Sequence, residues 1–436
     1  MSGEDCFKIL DKIFEPKNKQ NIEEIKGYRI KYGNIVDSGK VIDEVLVSYF
    51  KAPKSYTKEN MCEINSHGGN ILVKEILELC LKNGAVLAEP GEFTKRAFLN
   101  GRIDLPQAES VIDIINAKSR REVSTGIKQL EGFLSKEIGE IKQEIMEVMV
   151  NIEVAIDYPE YDVDEVTIDQ VLNMLNSIEK RLTPLENSFD NGKIIKEGIK
   201  TAIIGKPNAG KSSLLNSILK EDRAIVTEYE GTTRDTIEEF VNIKGIPLNL
   251  IDTAGIRNAK DEVEKIGIIK SKEIANDADL IIAIFDSSRE LSEEDVEILN
   301  ILKGKRSIIV LNKIDLAPKI DENNEKLKEV SENIIKISAL NNTGIEDLYD
   351  EIAKLFNLNQ INLDNDLIIT NVRHKNLITK ALESVNETKE SIKNNMPIDI
   401  VAISIKDILE NLANITGEIV SEDIIDEIFA KFCLGK

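Results

Sequence analysis

A multidomain chain, with an α/β domain interrupting a helical one and a small α+β domain ahead of both, is predicted by three features of this 436-residue sequence. Short apolar runs ("IKTAIIG", "LNLIDTAG", "LIIAIFD", "SIIVLNKID", "NIIKIS") alternate with helical stretches between residues 196 and 357, the signature of a mostly parallel sheet. Long stretches of apolar residues at steps of three and four lie on both sides of it. Strand-like alternation opens the chain. The length itself requires several domains, because a single core stops growing at about 250–300 residues.

In the first hundred residues, Tyr28, Ile30 and Tyr32 interleave with Arg29 and Lys31, and "VIDEVLVSYF" puts Val45, Val47 and Tyr49 on one face. These segments read as strands. "GNILVKEILELCLKNG" has helical spacing and stops at Gly84, and "AVLAEPGEF" turns through Pro90-Gly91 into another short helix. Asp104 is a candidate N-cap, with Pro106 tolerated in the first turn behind it. The stripe Ile127, Leu130, Leu134, Ile138, Ile141, Ile145, Val148, Ile152 and Ala155 predicts one helix of many turns. A partner follows through Leu172, Leu175, Ile178, Leu182 and Leu185, kinked or ended by Pro184. Further helices come after residue 370, the last starting at Ser421 with Glu422 and Asp423 suited to its N-terminus. Domains are therefore expected at 1–100, 101–195, 196–357 and 358–436.

Composition limits the function. With 56 Lys and Arg against 78 Asp and Glu the net charge is −22, which argues against broad adhesion to nucleic acid or anionic membrane. Four scattered cysteines and two histidines support neither a disulfide framework nor a zinc site. The N-terminus lacks the pattern of a signal peptide and no run of 18 apolar residues occurs, so the expectation is a cytoplasmic protein with no membrane segment.

The chemistry is concentrated in the α/β region. "GKPNAGKSS" matches G-x-x-x-x-G-K-[ST] between a strand and a helix, where backbone N–H groups wrap phosphates. Asn208, Ala209, Gly210, Lys211, Ser212 and Ser213 are the binding candidates, with Lys211 reaching the β- and γ-phosphates and Ser212 holding Mg²⁺. In "NKID" (Asn312, Lys313, Asp315) the aspartate can accept from guanine N1–H and its exocyclic amine, a donor pair that adenine lacks. Ser338, Ala339 and Leu340 suit a backbone contact to the guanine carbonyl. "EGTTRDT" and "DTAG" (Asp252, Thr253, Ala254, Gly255) read as two switches, with Thr233 on Mg²⁺ and the γ-phosphate, Asp252 on the Mg²⁺ shell through water, and the Gly255 N–H on the γ-phosphate; Thr227, Glu228, Tyr229, Glu230, Gly231, Thr232 and Thr233 join the nucleotide-binding candidates. The order of motifs is that of a P-loop GTPase. A kinase or ATPase is opposed by "NKID". A glutamine to orient the attacking water is missing, since Ile256 and Arg257 follow Gly255.

"SHGG", "EPGEFTKRAFLNGRIDLPQAE", "VAIDYPE", "GKPNAGKSSLLN", "EGTTRD", "IDTAGIR", "DEVEKIGI", "ITGE" and the ending "FCLGK" together resemble the MnmE (TrmE) family of tRNA-modification GTPases over nearly the whole chain. The resemblance implies an N-terminal tetrahydrofolate-binding and dimerisation domain and a helical domain split by the GTPase domain. It implies a homodimer that works with the FAD- and NADH-dependent partner MnmG (GidA). Together they add an aminomethyl-type group to C5 of the wobble uridine of tRNA, from 5,10-methylene- or 5-formyl-tetrahydrofolate. GTP hydrolysis would be stimulated by K⁺ held by Asn208, Thr227, Tyr229 and Thr232, with Glu264 orienting the water indirectly. Glu63, Arg102 and Lys436 match folate-binding positions, and Cys433 lies in the family's tail near that site; Glu63 and Arg102 also fit a plain surface strand position and a helix start. Relatives open with a strand and a segment like I-x-R-[IV]-S-G, so the opening strand and a folate-contacting arginine are expected to be missing from "MSGEDC". A second reading is an Era- or Der-like GTPase binding factor in ribosome assembly. An RNA-binding tail should be basic, yet from Asp407 onward seven acids stand against two lysines.

Overall fold

The computed structural model describes residues 1–18, 27–157, 168–221, 239–244, 246–251, 272, 274–356, 367–433 and 435. Helix α1 (Cys6–Ile13) leads into β1 (Phe14–Pro16), β2 (Tyr28–Asp37), β3 (Lys40–Phe50) and β4 (Met61–Asn65), an antiparallel sheet in the order β1-β2-β3-β4. One face is covered by α1 and by α2 (Asn70–Lys82), and there Leu10, Ile13, Val45, Val47, Tyr49, Ile76 and Leu79 form a core. The other face is open: Tyr28, Ile30, Tyr32 and Leu46 are 68, 65, 50 and 48% exposed. Alternation correctly named β2 as a strand, but its covered side is the one carrying Lys31, which is 9% exposed.

Helix α3 (Glu92–Leu99) follows the Pro90-Gly91 turn as expected, and α4 (Leu105–Ile115) starts with a reciprocal cap. The Gln107 N–H donates to Asp104 Oδ1 (2.9 Å) while the Asp104 N–H donates to Gln107 Oε1 (3.0 Å). The predicted long helix is two, α5 (Arg120–Leu130) and α6 (Phe133–Asp157), because the chain turns at Glu131-Gly132. This splits the stripe and leaves Ile127 and Leu130 partly exposed. Helix α7 (Ile168–Asn187) runs through Pro184 and ends one turn later, before α8 (Phe189–Glu197).

Next come β5 (Ile199–Gly205), α9 (Lys211–Glu221), β6 (Glu239–Ile243), β7 (Ile246–Ile251), β8 (Leu280–Asp286), α10 (Glu293–Leu302), β9 (Ser307–Asn312), α11 (Glu325–Lys328), β10 (Ile334–Lys336) and α12 (Ile345–Leu355). The six strands form one sheet in the order β10-β9-β8-β5-β7-β6, parallel except for the β6–β7 pair. Strands β8 and β9 are buried along their whole length, as parallel strands covered on both faces must be. Ile199, Ile203, Ile282, Ile308 and Val310 pack against Leu215 and Leu348 on one face; Ala202, Ile204, Ile281, Phe285 and Leu311 pack against Leu299 on the other.

The chain ends with α13 (Val372–Lys393), α14 (Ile398–Thr416) and α15 (Glu422–Phe429), the last starting just after Ser421 with Glu422 and Asp423 in its first turn as predicted and with no side-chain cap bond from the serine. Contacts divide the chain into two compact units, one of residues 1–115, 127–175 and 383–436, the other of 116–126 and 176–382. Within the first, α6 packs on α14, with Ile138, Ile141, Ile145 and Ile152 of the stripe fully buried. Also within it, Phe429 and Phe432 join Leu105, Ala108 and Phe98 in a small core, so the chain terminus returns to α3. The approach is close enough that a Cβ on Gly91 would lie 2.8 Å from the Phe429 carbonyl.

Candidate functional site

Strand β5 delivers the chain to Gly205 at its carboxyl end, and α9 begins six residues later at Lys211. Ligands of open α/β sheets bind at this end of the strands, where the strand order reverses. Between them Asn208 and Gly210 take φ of +60° and +110°. A Cβ at Gly210 would sit 2.0 Å from Asn312 Nδ2, so only glycine lets the loop close on β9. The Lys211 ammonium donates to the carbonyls of Gly205 (2.6 Å) and Lys206 (2.9 Å), and burial pushes its pKa below the ordinary lysine value. Ser212 and Ser213 stand exposed on the first turn of α9, where N–H groups and helix dipole favour an anion.

Asn312, 3% exposed at the end of β9, holds two motifs together. Its Nδ2 donates to the Ala209 carbonyl (2.8 Å) and its Oδ1 accepts from the Ala339 N–H (3.0 Å). The Ser217 hydroxyl of α9 meets the Ala339 carbonyl at 3.0 Å, closing the link. Asp315, exposed, accepts the Ser338 hydroxyl at 2.6 Å. Leu340 is 82% exposed beside buried Ala339. Lys313, at φ +67°, puts its ammonium 2.6 Å from Asp286 Oδ2. Burial alone would raise the Asp286 carboxyl, but Lys313 and the Ser288 hydroxyl and N–H outweigh it and hold the carboxyl below its ordinary value.

Asn208, Ala209, Gly210, Lys211, Asn312, Lys313, Asp315, Ser338 and Ala339 thus converge at one end of the sheet. Thr227, Glu228, Tyr229, Glu230, Gly231, Thr232, Thr233, Asp252, Thr253, Ala254, Gly255, Glu264 and Lys436 lie outside the described residues. Sequence reasoning missed Ser217, Asp286 and Lys206. Asp286 carried a signal, as the charged last residue of a buried parallel strand.

In the other unit Glu63 is exposed on β4 and pairs across the sheet with Ser48, which pairs with Ile30. That row lies on the open face, beside the row Tyr32–Leu46–Asn65. Arg102 lies 4.6 Å over the Tyr56 ring and donates to the Tyr56 carbonyl (3.2 Å). The structure forms no ion pair between Glu63 and Arg102. Cys433 is exposed, and its carbonyl accepts from the Gly91 N–H (3.3 Å). His67, just after β4, has its ring nitrogen 2.8 Å from Asp43, and His374 is fully buried on α13.

Comparison with known proteins gives matches over the whole chain. The family profile for the MnmE helical domain matches residues 105–433, and that for the GTP-binding protein TrmE N-terminus matches residues 1–102. The tRNA modification GTPase MnmE of Clostridioides difficile (strain 630) is 51% identical over 438 residues, covering all of this chain and 95% of the relative. The protein of the same name from Alkaliphilus oremlandii (strain OhILAs) is 49% identical over 440 residues, with the same coverage. Among solved structures, the G domain of the T. maritima FeoB iron transporter aligns with 36% of this chain and 98% of its own, at 29% identity and a TM-score of 0.28. The bacterial selenocysteine-specific elongation factor EF-Sec aligns with 38% of this chain and 29% of its own, at 25% identity and a TM-score of 0.27.

Proposed function

The chain belongs to the MnmE family of tRNA modification GTPases, and from that premise we propose that K⁺-stimulated GTP hydrolysis drives a one-carbon-dependent, aminomethyl-type modification at C5 of the tRNA wobble uridine. The carrying observation is the Asn312 link, which holds the phosphate loop and the guanine-side loop in one frame. P-loop N–H groups and Lys211 bind the phosphates, and Asp315, held by Ser338, reads the guanine edge.

The residues present fit two cations. Ser212, exposed at the start of α9, offers a hydroxyl for Mg²⁺, with Thr233, and with Asp252 through water. Asn208 is exposed at a left-handed bend of the loop and offers a carboxamide oxygen for K⁺, with Thr227, Tyr229 and Thr232. When bound, the two ions supply positive charge at the phosphates. Glu264 takes the role of orienting the water, in place of a switch glutamine.

The domain plan is a GTPase domain at 196–357 inserted between helical segments 101–195 and 358–436, behind an N-terminal domain at 1–100. The open sheet face supports a homodimer made by that domain, because a contiguous apolar surface of this kind favours burial against a partner. Glu63 on the same face suits the N–H donors of a flat pterin ring, and Arg102 and Lys436 suit carboxylates, so 5,10-methylene- or 5-formyl-tetrahydrofolate is held there, with Cys433 nearby. The flavoprotein MnmG acts as partner on tRNA. The described residues include no helix long and apolar enough to cross a membrane, and the protein works in the cytoplasm.

At saturating GTP and Mg²⁺, hydrolysis should rise several-fold when K⁺ replaces Na⁺ and should fall in Glu264→Ala with GTP affinity kept. Equal rates in both salts remove the K⁺ site. Wobble-uridine modification, assayed with the flavoprotein partner in the presence and absence of a folate donor, tests the rest; product formed without folate would refute the one-carbon route.

A further inference from the structure

The second residue of the phosphate loop is tied to a helix. Lys206 has a side chain only 15% exposed, and its Nζ lies 2.6 Å from Ser292 Oγ, 2.9 Å from Glu294 Oε2 and 3.8 Å from Asp295 Oδ2. Ser292 and Asp295 are the two halves of the capping box that starts α10: the Ser292 N–H donates to Asp295 Oδ2 (2.9 Å), and the Asp295 N–H returns to Ser292 Oγ. Asp295 is itself buried, 6% exposed. At the other end of the same residue, the Lys206 carbonyl accepts the Lys211 ammonium, next to the Gly205 carbonyl that does the same. One residue therefore connects a rigid helix N-terminus to the group that anchors the phosphate-binding lysine.

We propose that Lys206 is a positioning residue for GTP hydrolysis, clamping the loop to the N-terminus of α10 so that the carbonyls of Gly205 and Lys206 aim Lys211 at the phosphates. The inference rests on the GTPase reading. Charge-assisted hydrogen bonds in a mostly buried setting are stronger and more directional than a surface pair. The two carboxylates and the hydroxyl take up the Lys206 charge on the α10 side, so this lysine is committed to the helix and Lys211 to the nucleotide. A misplacement of about 1 Å in such a group can cost about a hundred-fold in rate. An ordinary surface ion pair, by contrast, adds little stability and leaves kinetics alone.

Lys206→Met keeps the aliphatic stem and removes the charge. In the full chain, kcat for GTP should fall about ten-fold, some 1.4 kcal/mol of barrier, with KM changing much less and the thermal midpoint held. Lys206→Arg should recover most of the rate. Ser292→Ala should slow kcat by a smaller factor, and Lys206→Met with Ser292→Ala should be no slower than Lys206→Met alone. A wild-type kcat in Lys206→Met, a loss that Arg fails to recover, or additive single losses overturns the clamp. Should Lys206→Met fail to fold, Glu294→Gln decides: its exposed side chain lies outside the capping box, and unchanged kcat there overturns the proposal. If the unmodified chain hydrolyses no GTP, the GTPase reading itself falls and takes the clamp with it. Normal hydrolysis in the unmodified chain with an unimpaired variant refutes the clamp alone.

Discussion

The nucleotide site and the open face of the N-terminal sheet are built in opposite ways. At the first, a buried frame holds the loops: Asn312 is 3% exposed and satisfied on both sides, and Lys211 is held by two carbonyls before any phosphate is considered. At the second, Glu63 is exposed in the row of Ile30 beside uncovered Tyr32 and Leu46, and Arg102 is exposed in a turn, over the Tyr56 ring. Buried hydrogen-bonded frames fix geometry within one chain. A half-open apolar face is suited to completion by a second copy. On the proposed reading the difference separates a site made by one fold from a site completed by a second copy, and it predicts which mutations act in the monomer.

The largest effect should follow from Lys211→Ala. GTP hydrolysis should drop about a thousand-fold, the upper range for losing one preorganised charge at a transition state, while folate binding measured by calorimetry stays as in the unmodified chain. A matching loss of folate affinity would break the separation of the two sites. Asp315→Asn comes next: GTP affinity should fall about a hundred-fold, because a site built around the guanine donor pair is left mispaired. Xanthosine triphosphate, with oxygen in place of the exocyclic amine, should bind better than GTP in that variant. Retained GTP preference would place guanine recognition elsewhere.

A third change tests the proposed assembly on the open face. Tyr32→Asp with Leu46→Lys puts charges on the open face, where each apolar side chain would contribute about 1.5–3 kcal/mol when covered. Sedimentation should shift from dimer to monomer and folate affinity should drop about ten-fold, with nucleotide affinity unmoved. A stable dimer carrying both charges means that the interface lies elsewhere.

These contrasts also explain what the sequence could tell. The P-loop was legible because it is a strand, a turn and a helix start in consecutive residues, and "NKID" because it is a buried strand end and the turn that follows it. The partners that hold them were not: Ser217 reaches Ala339 across 122 positions and Lys206 reaches Ser292 across 86. Periodicity gives a strand and its two sides but not which side is covered. On β2 the aromatic side stays open while Lys31 is sheltered over the Tyr49 ring, because α1 and α2 sit on that face. The α5–α6 break was missed for a similar reason, since the apolar stripe continues in step across the Glu131-Gly132 turn.

The smallest predicted effect is a pH dependence confined to the α/β unit. Asp286 is 8% exposed and accepts from Lys313 (2.6 Å) and from the Ser288 hydroxyl (2.6 Å) and N–H (3.0 Å). Its carboxyl is held below the ordinary value of 3.8 that the unfolded chain keeps. The folded state therefore prefers the charged form. Its stabilisation is complete above 3.8 and is lost as pH falls through the lower folded pKa. Asp286→Asn should cost about 1 kcal/mol at neutral pH, given that the Lys313 partner is one-third exposed. In urea unfolding followed by a probe in this unit, the gap between the two proteins should stay constant from pH 7 to about pH 5 and close toward pH 3. Below 3.8 the unfolded carboxyl takes up its proton ahead of the folded one, so the advantage of the charged folded form shrinks. A gap that persists undiminished at pH 3 would mean that the shape of Asp286, and not its charge, holds Lys313 at the edge of the nucleotide site.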